Sequence, residues 1–110
     1  MSLSDEQWEF AKDVGRLFAY LTFNDYKFTI GEVLRTPEQQ AIYLKTGKSK
    51  TANSKHLEKK AIDLNIWIRN ELTYDVEKLK PIGEFWESLN PKNKAGMFWK
   101  WVDAPHYERR

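Results

Sequence analysis

The sequence contains no cysteine, which excludes disulfides, thiol nucleophiles and cysteine-based zinc clusters and leaves the redox compartment undetermined. Stability must come from packing, with whatever a metal held by other side chains adds. No stretch approaches the ~20 consecutive apolar residues of a membrane span, and Met1 to Glu6 has neither the basic start nor the apolar run of a signal peptide. The expectation is a protein made in the cytoplasm, without membrane insertion, that needs another factor to release it if its substrate lies outside. Net charge is also scarce: 18 basic and 16 acidic residues leave +2, no general pull toward nucleic acid. Histidine is the rarest functional residue present, with His56 and His106 alone.

What the chain does have is bulk to bury. Five Trp, five Tyr and six Phe in 110 residues, 41% of them hydrophobic, suit one folded domain over residues 1–110 with a single core. There are no repeats or low-complexity tracts. Ser4 and Gln7 fit a capping box, and Trp8, Ala11, Val14, Phe18 and Leu21 recur at helical spacing, predicting a helix over Ser4 to Leu21 with that stripe in the core. Asn24 and Asp25 mark a turn before a strand from Phe28 to Leu34. Thr36 and Pro37 open a short helix that Gly47 closes, and the polar stretch from Lys48 to Lys55 reads as a loop.

The run from Ala61 to Ile68 alternates, placing Ile62, Leu64, Ile66 and Ile68 on one strand face and Ala61, Asp63, Asn65 and Trp67 on the other. A hairpin at Arg69-Asn70-Glu71 follows, then a helix with Pro81 near its first turn, Phe85, Trp86 and Leu89 buried, and an end at Asn90-Pro91. Closing strands are expected around Phe98 to Trp101 and Pro105 to Tyr107, joined by a loop carrying Asp103, with Phe98, Trp99 and Trp101 read as core rather than as a sugar platform. The fold class is α+β, a small antiparallel sheet packed with helices.

Catalytic zinc takes three His or carboxylate ligands and leaves a fourth position for water, and His56, Asp63 and His106 meet that requirement. The seven positions between His56 and Asp63 call for a turn that brings both side chains to one ion, and His106 would staple the two halves of the chain. Peptide-bond hydrolysis also needs a group that takes and returns a proton, for which Asp103, three residues before His106, is the candidate. Arg35 is the candidate for meeting charge on a carbonyl oxygen or gripping a substrate carboxylate. Taken singly these residues have structural readings: Asp63 as a strand-edge carboxylate, Asp103 as a turn former, Arg35 as a partner of Glu32 or Glu38. Lys45, Lys48, Lys50, Lys55, Lys59 and Lys60 read as a solvated basic face that flanks the site and offers attraction to an anionic polymer.

The pattern Ser54-x-His56, six residues, Asp63 within Ala61-Ile62-Asp63-Leu64, then Asp103-x-x-His106-Tyr107-Glu108, resembles the zinc D-alanyl-D-alanine carboxypeptidase and L-alanyl-D-glutamate endopeptidase family, in its small phage endolysin branch. Leu34 to Gln40 resembles the family's arginine-containing segment, and Gly83 to Leu89 is similar to a helix of phage members. The resemblance implies a compact α+β domain holding zinc through His56, Asp63 and His106, with Asp103 as base, Arg35 at substrate or transition state, and Ser54 shaping the site. Where the family commonly has Gly three positions after the first His, this chain has Lys59.

The function this implies is a zinc peptidase cutting the peptidoglycan stem peptide, a phage lysis enzyme working as a monomer on bacterial peptidoglycan, with L-alanyl-D-glutamate the expected bond and D-alanyl-D-alanine carboxypeptidase activity the alternative. A non-catalytic wall-binding or structural phage domain of the same fold is a second reading, against which the retention of Asp103 argues. Nucleic-acid binding through the lysines is a third, disfavoured by the near-balanced charge.

Overall fold

Residues 2–48 and 54–110 are described by the structure, a computed structural model. Helix α1 (Leu3–Phe23) is capped two residues earlier than predicted, because Ser2 and Asp5 form the capping box: Ser2 Oγ accepts from Asp5 N, and the Asp5 carboxylate accepts from Ser2 N. Gln7 is free to donate instead to the carbonyl of Glu58 at 2.8 Å, tying the helix start to the segment before Asp63. The buried stripe is also rotated from the predicted one. Phe10, Leu17 and Leu21 face inward with Val14 and Phe18 partly buried, while Trp8 is 62% exposed beneath Lys12 and Ala11 faces solvent. The apolar arc of α1 is too wide to be buried whole, and this rotation also lets Asp13 accept a hydrogen bond from Asn93 at 2.9 Å.

Strand β1 (Lys27–Ile30) is shorter than predicted. Beyond Ile30 the chain stays tied to its neighbour through Gly31 N to Asp63 O and Asp63 N to Glu32 O, then swings away so that Arg35 N reaches His56 O. Helix α2 (Pro37–Thr46) forms as its sequence predicts, capped by Thr36 and closed by Gly47 in the left-handed region at φ 82°. Of the predicted loop, residues 49–53, including Lys50, lie outside the described residues. The rest is not all loop: Ser54 caps a single 3-10 turn, Lys55–Glu58.

Strand β2 (Ala61–Ile68) is the centre of the sheet, and its alternation is as predicted: Ile62, Leu64 and Ile66 are buried in the core. Arg69 and Asn70, both at positive φ, make the two-residue turn into β3 (Glu71–Thr73). Helix α3 (Val76–Leu89) is capped by Asp75, so Pro81 lies inside the helix rather than in its first turn. Pro81 is exposed, and the carbonyl that its missing N–H leaves free, that of Glu77, belongs to an exposed residue.

The tail departs most from prediction. The pairing strand is β4 (Asn93–Ala95), a 3-10 turn follows at Gly96–Phe98, and β5 (His106–Arg109) closes the sheet. Trp99 N and Asp103 N both donate to the Gly96 carbonyl, which folds residues 96–103 into a compact loop in place of the expected strand. Phe98 (40% exposed) and Trp101 (55%) are therefore surface residues, not core. The antiparallel sheet runs β1-β2-β5-β4, with β3 on the far half of β2. Helices α1 and α3 cover one face, where Trp86 stacks edge-on against Phe10 and Tyr107 and donates Nε1–H to the Glu108 carbonyl. The other face keeps Asp63 and His106 side by side. No helix among the described residues is long and apolar enough to cross a membrane.

Candidate metal centre

The turn that the sequence requires between His56 and Asp63 is built by the backbone of Ser54 to Lys60. Ser54 Oγ accepts from His56 N, the 3-10 turn follows, and Lys59 ends it in the left-handed region at φ 55°. Lys60 N then bonds back to Lys55 O, and Lys60, buried rather than solvated, fixes the corner through an ion pair with Glu6 at 2.8 Å. Asp63 stands directly opposite His106 in the β2–β5 register. The three side chains meet: Asp63 Oδ1 lies 3.2 Å from His56 Nε2 and 3.3 Å from His106 Nδ1, and the three donor atoms all fall within 4.8 Å of one another.

The donor set fits a zinc ion. Two imidazole nitrogens and a carboxylate oxygen are its usual ligands, and spacings of 3.2 and 3.3 Å match the roughly 3.3 Å edge of a tetrahedron with bonds of about 2.0–2.1 Å. Each ring is also held at its far edge. His56 Nδ1–H donates to the Val33 carbonyl at 2.9 Å, which leaves Nε2 to the site, and His106 Nε2 meets Glu108 Oε1 at 2.8 Å, which leaves Nδ1.

The electrostatics follow from this packing. Burial alone would raise the Asp63 pKa, but hydrogen bonds to His106 and His56 and their charges outweigh it and hold the carboxyl well below the usual carboxylate range. Burial works against a charged His106, yet its bonds to Asp63 and Glu108 and the charge of Asp103 push it up to about 9. Asp103, placed with Oδ2 3.8 Å from His106 Nδ1, is raised by burial and by the Asp63 charge, which the charges of His106, His56 and Arg35 only partly offset. It is 44% exposed, whereas the two histidines are buried, so the site opens on its side. Gly96 makes that placement possible: a Cβ there would lie 2.4 Å from the Asp103 carbonyl and 3.1 Å from His106 Cβ.

Arg35 lies one layer out. Its Nε pairs with Glu32, its Nη1 donates to Gln40 Oε1 at 2.6 Å and to Ser54 Oγ at 3.3 Å, and the guanidinium stacks on Tyr43 at 4.6 Å. Tyr43 in turn donates its hydroxyl to Glu32. The structural partner considered for Arg35 is thus real, and it orients the guanidinium: none of these bonds uses Nη2. Of the flanking lysines, Lys48 lies over Tyr43 and Lys55 pairs with Glu58.

Sequence reasoning named Glu32 as a partner of Arg35 but missed the other supporting residues. Glu108 had a signal, since a residue two along a strand from His106 shares its face. Gln40 acts from helix α2, the Val33 carbonyl from the irregular chain after β1, and Gly96 through a loop contact, none of which has a spacing signature.

A small α+β domain with an open His/Asp/His donor set beside a half-exposed carboxylate is the class that fold and site define. The model of the phage L-alanyl-D-glutamate peptidase family matches residues 12–108, and the chain belongs to that family. The crystal structure of Serratia marcescens L-Ala D-Glu endopeptidase ChiX shares the fold, with a TM-score of 0.63 at 23% identity over 76% of this chain and 66% of that one. The chain thus spans just under two thirds of ChiX. No curated protein matches.

Proposed function

We propose that this protein is a zinc-dependent peptidase that hydrolyses the L-alanyl-D-glutamate bond of the peptidoglycan stem peptide, as a phage lysis enzyme that reaches the wall once another factor opens the membrane. The observation that carries the reading is Asp103: a carboxylate of raised proton affinity, half open to solvent, beside the three donors. A metal held only for structure has no use for a base there.

Zinc, held by His56, Asp63 and His106, would supply Lewis-acid polarisation of the scissile carbonyl and the attacking water. Asp103 takes the proton that water loses and returns it to the departing amine, for which a carboxyl with a pKa above its ordinary value is better matched than a free one. Arg35, held by Glu32, Gln40 and Ser54, presents a fixed positive charge to the substrate, either to the developing oxyanion or to a carboxylate of the peptide. Ser54 serves two parts of the site at once, capping the turn that bears His56 and bonding Arg35. Family membership supports the L-alanyl-D-glutamate bond over D-alanyl-D-alanine.

The test is mass spectrometry of purified peptidoglycan after incubation with the protein. Fragments ending in L-alanine, with matching fragments that begin at D-glutamate, are expected; they vanish with a chelator and return with zinc. A folded, zinc-loaded protein that releases no fragment would refute the proposal.

A further inference from the structure

We propose that Glu108 is a positioning residue for the metal centre: by accepting the Nε2–H of His106 it fixes the tautomer that turns the Nδ1 lone pair toward Asp63 and His56. The inference rests on the reading of this donor set as a metal site and deepens it. A neutral imidazole carries its single proton on either nitrogen, and a ring with Nδ1 protonated cannot ligate through that atom. At His106 something must therefore hold the proton on Nε2, and Glu108 Oε1 is 2.8 Å away, buried with it.

The carboxylate is itself fixed. Its second oxygen accepts from Arg110 Nε at 2.9 Å, and its backbone carbonyl accepts the Trp86 indole N–H, so strand β5 is anchored to α3 at this residue. In the register, Glu108 lies opposite Ala61 on β2 and Lys94 on β4. His56 is served by a different device, the Val33 carbonyl, which can only accept and so holds that ring's proton on Nδ1. The two imidazoles therefore ligate through opposite nitrogens, Nε2 of His56 and Nδ1 of His106, each set by the acceptor behind it.

The test is zinc affinity, measured by competition with a chromophoric chelator on the wild type, Glu108→Gln and Glu108→Ala, together with long-range 15N–1H spectra of the imidazoles in the zinc-loaded proteins. Glu108→Gln keeps size and a neutral acceptor; thermal melts of the metal-free variants show that each still folds. Expected is a graded loss, with Glu108→Ala about 10–100-fold weaker for zinc and Glu108→Gln in between. The wild-type spectrum should show His106 protonated on Nε2 and His56 on Nδ1, and the His106 pattern should be lost or mixed in Glu108→Ala. Equal zinc affinity in all three proteins, or His106 bound through Nε2, overturns the role of Glu108 while leaving the metal site standing. A wild type that takes up no zinc overturns the metal reading and this proposal with it.

Discussion

The carboxylates of Asp63, Glu108 and Asp103 around buried His106 favour its charged form, and that makes it a residue through which pH acts on the metal-free protein. Its folded-state pKa, about 9, is raised from 6.5, so the stabilisation it brings is complete below 6.5 and is lost as pH rises through 9. Asp63 has the opposite sign: its folded value is depressed, so its contribution is complete above 3.8 and is lost as pH falls toward strong acid. The chelated protein is expected to be most stable between about pH 3.8 and 6.5 and to lose denaturant resistance steadily toward pH 9, as read from denaturation midpoints in a pH series. A flat midpoint from 6.5 to 9 would show that His106 is not held protonated. Zinc-loaded protein should behave in the opposite sense over that range, because metal and proton compete for Nδ1. The candidate donors were legible in the sequence because histidine is so scarce: two residues had to account for any imidazole site. Glu108 stood in the motif without a role, because the predicted strand ended at Tyr107 and the face it shares with His106 shows only once β5 runs to Arg109.

At the level of elements, the short turn from Ser54 to Lys60 decides whether His56 and Asp63 meet. Lys59 occupies the left-handed conformation that ends the 3-10 turn, a position where a Cβ costs about 1 kcal/mol and where the family's usual glycine costs little. Lys59→Gly is expected to stabilise the protein by about 0.5–1 kcal/mol, after the greater chain entropy of glycine is counted, and to raise Tm by a few degrees in a thermal melt. An unchanged or lowered Tm would mean that the lysine side chain compensates for the strain. Elements with one strong pattern were readable: β2 alternates cleanly, and α2 carries both its cap and its terminating glycine. The tail was not, because Phe98 to Trp101 imitates a strand, whereas the real one, Asn93-Lys94-Ala95, has no β-branched or aromatic residue. Its place is set by pairing with β5.

The whole molecule brings three distant pieces of chain to one point, with helices α1 and α3 behind the sheet and the loop from Gly96 to Pro105 delivering Asp103 from the open side. Under the proposed function, metal binding and proton transfer fall to different parts of the fold and should separate on mutation. The most direct measurement is zinc content and peptidoglycan fragment release, taken together, for the wild type and Asp103→Asn. The expected result is one zinc in each protein and fragment release at least about 100-fold slower in the variant. Asp103→Asn that cuts at the wild-type rate would contradict the account.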